Sequence, residues 1–461
     1  MKTKYFRFEG LLQENSWISP AFVELDEQGR IQSISTEKKG VGPVEYVKGY
    51  AIPGFQNAHS HAFQYAMAGL AEIHDTTQTP DDFWSWREAM YAIALSISPD
   101  EMEAIATQLY AEILRHGYTH VAEFHYVHHQ KNGNQFGNLA EMGARLVSAA
   151  KTAGIKITLV PMFYQMGGFG KQPTEGQKRF ISSTTDDYLK LHQASAEAVK
   201  SYQGASLGFG FHSLRAVNQK SLGEAVQHAD DLPIHIHISE QLKEVEDCKD
   251  FYGQRPVEWL YNQTEIDAQW HLVHATHLSD SELKQVASSG AHVVICPSTE
   301  GNLGDGIFRL KEYQELGGRW SIGTDSHIGL DPKEELRILD YGQRLTSHKR
   351  NTFYSKSNGD SGAFGFNEAL LSGRMAMGNK SPSYFEKGQY FDAVVVDVEH
   401  HLIATSGIDK VLSTYIYSGD TTFNLGTIVN GEWVVQSNRH NETGGIRSKF
   451  VGAIKALTIR S

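Results

Sequence analysis

Cysteine is the scarcest reactive group in this chain, since only Cys248 and Cys296 occur in 461 residues. Two thiols without CxxC spacing are too few for a disulfide framework, so both read as reduced, and Cys296 in "HVVICP" reads as a small apolar core residue. Long apolar runs are missing as well. No segment reaches the roughly 18 to 20 consecutive apolar residues of a membrane span. The opening "MKTKYFRFEGLLQENSW" interleaves charges with aromatics where a signal peptide carries a continuous apolar core, so a cytoplasmic protein is expected. Positive charge is in deficit: Lys plus Arg number 42 against 54 Asp plus Glu, and the net charge of -12 argues against a nucleic-acid or anionic-membrane partner. An anionic substrate therefore needs local cationic groups. Internal repeats and low-complexity tracts are also absent.

What is present describes a globular protein, with 40% apolar and 21% charged residues and enough length for a large α/β domain with a smaller appendage. Eight short apolar runs recur with helical segments between them: "YAIPGFQNAHSH", "THVAEFHYV", "IKITLVPMFYQ", "SLGFGFHSL", "LPIHIHISE", "WHLVHATHL", "AHVVICPST" and "RWSIGTDSH". Helix signals punctuate them. "SDSELKQVASSG" opens on the capping box Ser279 to Glu282 and stops at Gly290, and "SPDEMEAIATQLYAEILRHG" starts at Ser98 and ends at Gly117. Near-continuous apolar strands alternating with helices over about 280 residues predict a (β/α)8 TIM barrel. A doubly wound sheet is the alternative, but no GxGxxG follows the first strand. The ends carry short alternating runs joined by Gly, Asn and Asp turns, which predicts a smaller β-sandwich domain from residues 1–52 and 384–461 around a barrel of residues 53–383. The final "SKFVGAIKALTI" is expected to be an amphipathic helix packed on that β unit.

In such a barrel, catalytic groups sit at the C-terminal ends of the strands. His59 and His61 end the first run, two residues apart, and on an extended strand they share a face and can hold one metal ion together. His212 and Arg215 follow the fourth run, His237 and Glu240 the fifth, His274 the sixth and Asp325 the eighth. Of the second H-x-H pair, His237 lies nearer the rim and is the expected ligand, with His235 left as a core or supporting group. His271 reads as core; His74, His116, His120, His128 and His129 read as ordinary polar or helix-terminal groups. Asp325 is open to three readings: ligand, base, or N-cap of the next segment. Three imidazoles and one carboxylate suit Zn²⁺ or a similar divalent ion with one position left for water.

With these rim residues in order, the chain resembles the amidohydrolase superfamily over nearly its whole length, on "HSH" after strand one, a His after strands five and six, and "TDS" after strand eight. No Lys ends strand four, where two-metal members carry one, so the resemblance implies one divalent ion, zinc being expected, held by His59, His61, His237 and Asp325. Within the superfamily, "NAHSHAFQYAMAGLAE", "FWSWREAMY", "FHSLRAV" and "STEGNLGDGIF" are similar to runs of the bacterial formimidoylglutamate deiminases, which convert N-formimino-L-glutamate and water to N-formyl-L-glutamate and ammonia in histidine degradation. Tyr65 departs from that pattern, where a basic residue is expected. The resemblance implies Asp325, Glu240 and His274 as catalytic groups, Gln64, Arg87, Tyr126, His212 and Arg215 as contacts to a small dicarboxylate substrate, and a homodimer. Two alternatives are a deaminase of the same superfamily acting on a purine, pyrimidine or guanidine compound, and a barrel serving as a non-catalytic scaffold.

Overall fold

Strands that are apolar at nearly every position bury both faces, which a parallel sheet wrapped by helices provides. The computed structural model describes residues 3–14, 16–70, 72, 83–350, 352–355 and 359–460, with the backbone alone at 83–85, 88 and 460; His74 lies outside the described residues. Its barrel strands are Phe55–Ser60, Tyr118–His125, Lys156–Phe163, a fourth strand broken at Gly208 into Ala205–Leu207 and Phe209–Ser213, then Ile234–Ile238, Trp270–His274, His292–Ile295 and Arg319–Ile322. Each pairs in parallel with the next. The first and last meet at a short seam, where Ser60 bridges Asp325 in parallel and the His59 carbonyl accepts the Thr324 and Asp325 amides at 3.1 and 3.0 Å. Gly323 makes that approach possible, because a Cβ there would stand 2.7 Å from the His59 Cβ. This closure is a barrel's and not that of an open doubly wound sheet.

The helix signals act as their chemistry requires. Ser98 and Glu101 form a reciprocal capping box on helix Pro99–His116, which ends at Gly117 with φ 102°. Ser279 and Glu282 do the same for Asp280–Ser289, which ends at Gly290 with φ 85°. Each satisfies otherwise orphaned amides at a helix start.

The chain ends form one continuous nine-stranded sheet, antiparallel except where Lys4–Gln13 runs parallel to Glu45–Pro53. It doubles back on itself: the Ile31 amide donates to the Gln389 carbonyl at 2.9 Å, and Arg30 bridges Tyr390. Phe6, Phe8, Phe385 and Phe391 stack inside the fold so formed. The last segment is helical, Thr443–Arg460, but it packs along helix Pro99–His116 of the barrel and not on the terminal sheet. Its buried residues Ile446, Ala453 and Leu457 define one apolar stripe, and Phe450 meets Tyr65 of the loop after the first barrel strand. Periodicity reveals such a stripe; it does not say which surface the stripe meets.

Candidate metal centre and active site

Five non-glycine residues adopt left-handed backbone where barrel strands five, six and eight end: Ser239 (φ 53°), His274 (φ 66°), Ala275 (φ 50°), Asp325 (φ 45°) and His327 (φ 65°). Such strain persists only where the surroundings over-determine it, and it gathers at functional sites. Two of the five, His274 and Asp325, carry side chains that meet His59 at one point at the barrel mouth.

That point is built from nitrogen and carboxylate donors. The Nε2 atoms of His59 and His237 lie 3.0 Å apart, and those of His61 and His237 lie 3.3 Å apart. Asp325 Oδ1 lies 3.2 Å from His59 Nε2 and 3.4 Å from His61 Nε2. His61 Nδ1 donates to the Phe124 carbonyl at 3.0 Å, and His237 Nδ1 donates to the His212 carbonyl at 2.7 Å. Those bonds commit the one ring proton of a neutral imidazole and leave Nε2 as a lone pair. Burial first, and neighbouring imidazoles next, hold His59 and His237 well below the usual histidine pKa, and burial lowers His61. Three imidazoles, two of them with Nε2 fixed as a lone pair, and a carboxylate oxygen close to His59 and His61 are a donor set for a divalent cation. His235 is elsewhere: its Nε2 bonds the Ala376 carbonyl at 3.1 Å. Asp325 does not cap the next helix, Pro332–Ser347, whose N-cap is Asp331.

Beneath the first ligand pair runs a support that sequence reasoning missed. Glu123, on the second strand, accepts the Ser60 hydroxyl at 2.6 Å and the Ala62 amide at 2.7 Å, so it braces both neighbours of His61. Burial pushes its pKa up to about 8 despite these bonds.

Beside the donors stand two buried titratable groups, His274 and Glu240. His274 presents Nε2 to Asp325 Oδ2 at 3.8 Å and to Glu240 Oε1 at 3.7 Å, while its Nδ1 meets Glu300 Oε1 at 3.2 Å. Burial alone would lower its pKa; the carboxylates of Glu240, Glu300 and Asp325 outweigh burial and raise it to about 10. Burial raises the pKa of Glu240, reinforced by Asp325 and Glu244 and opposed by His274 and Arg215. Both groups are therefore shifted toward their protonated forms in one buried space. Glu300 had no role assigned from sequence, although it follows the seventh strand, whose rim had been left without a functional residue.

The cavity facing these groups is walled by Gln64, Arg87, Tyr126, His212 and Arg215, all five expected substrate contacts, together with Trp86, Met90 and Leu303. Gln64 Nε2 donates to the Tyr126 hydroxyl at 3.1 Å, while its buried Oε1 has no hydrogen-bond partner among the described residues. Arg87 lies over the Tyr91 ring at 5.0 Å and lines the cavity. Arg87 and Arg215 also border an outer chamber formed by the glycine-rich loop at 164–171 and helix Leu242–Tyr252. Phe169 of that loop packs against Phe251 and Tyr252.

The chain is similar to several known proteins. The amidohydrolase family profile matches residues 50–434. A Pseudomonas aeruginosa protein described as formimidoylglutamate deiminase is 42% identical over 434 residues, covering 94% of both chains. The crystal structure of an amidohydrolase from Brucella melitensis superposes with a TM-score of 0.93 at 39% identity, over 99% of this chain and 100% of that one. An adenosine deaminase from Xanthomonas campestris with bound zinc superposes at 0.80 with 20% identity, over 99% and 98%, a likeness of fold alone. Given a profile match that runs through the whole barrel and a 42% identical relative aligned nearly end to end, the chain belongs to the amidohydrolase family.

Proposed function

We propose that the protein hydrolyses N-formimino-L-glutamate to N-formyl-L-glutamate and ammonia, as a step of histidine degradation. The observation that carries this reading is one cavity in which a divalent-cation donor set faces two guanidinium groups, Arg87 and Arg215. A chain of net charge -12 needs such cations to orient a dicarboxylate. The 42% identical relative bears the corresponding activity in its description.

His59, His61, His237 and Asp325 hold the ion, which we take as zinc because an N₃O set suits it and because zinc is named in the Xanthomonas structure. When bound, such an ion lowers the pKa of a coordinated water toward neutrality. Asp325 Oδ2, on the side away from His59 and His61, accepts a proton from the attacking water. Glu240, whose pKa burial raises, delivers a proton to the imino nitrogen and makes the formimino carbon more electrophilic. His274 Nε2 donates to the oxygen being added and offsets its developing charge. The proton held on Asp325 passes to the former imino nitrogen, Glu240 recovers its proton from the hydroxyl of the adduct, the C–N bond breaks, ammonia leaves, and the oxygen stays as the formyl group. Arg87 and Arg215 hold the two carboxylates, with Gln64, Tyr126 and His212 filling the space between.

The same reading includes a homodimer and a cytoplasmic location, which rest on the resemblance and on the sequence composition; light scattering tests the first and cell fractionation the second. The activity is tested by metal analysis of the purified protein and an ammonia-release assay with N-formimino-L-glutamate beside N-formimino-glycine, guanine and cytosine. Ammonia from the first in clear preference is the expected result. Release from guanine or cytosine instead transfers the protein to the base deaminases, and no release from any overturns the assignment.

A further inference from the structure

We propose that Glu300 is a positioning residue that sets the rotation of the His274 ring, an inference that rests on the deimination reading above. Glu300 sits in the short helix Pro297–Leu303 after the seventh barrel strand, with its side chain buried. Its Oε1 accepts both His274 Nδ1–H at 3.2 Å and the Cys296 amide at 2.9 Å, and its own amide donates to the Cys296 carbonyl at 2.9 Å. Main chain and side chain are thus tied to the same residue, and the carboxylate has no freedom to swing. On the other side, His274 and Ala275 take left-handed backbone, and the Ala275 amide reaches the Ile238 carbonyl at 3.0 Å.

The backbone places the ring and Glu300 decides which edge faces the cavity. An imidazole rotated by half a turn would offer a carbon where Nδ1 now stands and another carbon where Nε2 now stands. With Nδ1–H given to Glu300, Nε2 points at the space between Glu240 and Asp325. Its distances to those carboxylates, 3.7 and 3.8 Å, exceed hydrogen-bond length, so the nitrogen is directed toward a reacting group and not absorbed by its neighbours. This is the relation of a histidine hydrogen-bond donor to its orienting carboxylate, with the orienter supplied from a different strand end.

The test compares Glu300→Gln and Glu300→Leu, each with and without His274→Asn, in the metal-loaded full chain. Glutamine keeps an acceptor oxygen where Oε1 stands; leucine does not. Glu300→Leu is expected to lower kcat about 10²-fold, with KM within about threefold and metal content unchanged, and Glu300→Gln to recover about tenfold of that loss. In the His274→Asn background, Glu300→Leu is expected to cost less than about threefold more. An equal cost with and without His274, or loss of metal in both variants, overturns the proposal. A substrate-free readout separates it from the function: the ¹⁵N-bound Nδ1 proton of His274 should be protected in the parent and in Glu300→Gln but exchange-broadened in Glu300→Leu. Persistence of that signal in Glu300→Leu overturns the positioning role whatever the substrate proves to be, whereas an inactive parent with the expected signals overturns only the deimination.

Discussion

His59 and His237 bring their Nε2 atoms to 3.0 Å, and the Nδ1 proton of His237 is already committed to the His212 carbonyl. Without a cation, a hydrogen bond between them requires the His59 proton on Nε2, while His59 Nδ1 has no hydrogen-bond partner among the described residues in either tautomer. Burial opposes a second proton on either ring.

A bound divalent ion should therefore stabilise the fold as well as enable turnover. Removal with a chelator at pH 7.5 is expected to abolish ammonia release and to lower Tm by several degrees. An ion at 100 times its Kd contributes about 2.7 kcal/mol to the folded state. One equivalent of Zn²⁺ should restore both. Calorimetry and metal analysis on the same samples check it; unchanged Tm and activity after complete metal loss would refute the metal centre.

Asp325→Asn removes the charge of a donor that lies 3.2 and 3.4 Å from two imidazole nitrogens. Its backbone amide still bonds the His59 carbonyl at the barrel seam, so the fold should survive. Turnover should fall by about 10³-fold or more, since both charge and proton acceptor are lost. Circular dichroism beside the ammonia assay tells the two apart. Ammonia release near the parent rate would sink the base assignment.

The barrel was legible because its strands are buried on both faces and read as apolar runs, while the polar residues that interrupt them fall at one end. His59, His61, His237, His274 and Asp325 all end such runs, and the structure gathers them. Glu123 and Glu300 were not legible for a common reason. Each acts across to another strand end, Glu123 onto Ser60 and Ala62 and Glu300 onto His274, and no local period encodes such a contact. The docking of Thr443–Arg460 on a barrel helix was hidden in the same way: its apolar stripe was readable, its partner was not.

Arg215→Met should discriminate between substrates. The residue lines both the inner cavity and the outer chamber, two residues beyond the end of the fourth strand. If its guanidinium holds a carboxylate, kcat/KM for N-formimino-L-glutamate should fall about 10²-fold or more, corresponding to roughly 3 kcal/mol or more for a charge-assisted pair, whereas a neutral formamidine should lose much less. Equal losses for both compounds would show that Arg215 does not bind carboxylate.

One ring beneath the metal donors, on the other side of Phe124, His235, His271 and His292 occupy one row across strands five, six and seven, with ring centroids 4.8 and 5.0 Å apart. Burial lowers His235 to about 3 and His292 to about 4, and it holds His271 well below the usual value, with His235 and His292 adding to the effect. A depressed folded pKa means that the unfolded chain binds more protons between the two values. The stability these neutral rings provide is complete above about pH 6.5 and is lost as pH falls toward 3 to 4. Within that window each such histidine contributes a slope of about 1.4 kcal/mol per pH unit. His235→Gln can keep the donor to the Ala376 carbonyl while removing one titrating group. Its Tm should therefore fall less steeply than the parent's between pH 6 and pH 4.5, whatever the difference at pH 7.5. Parallel Tm curves would show that His235 protonation takes no part in the acid transition.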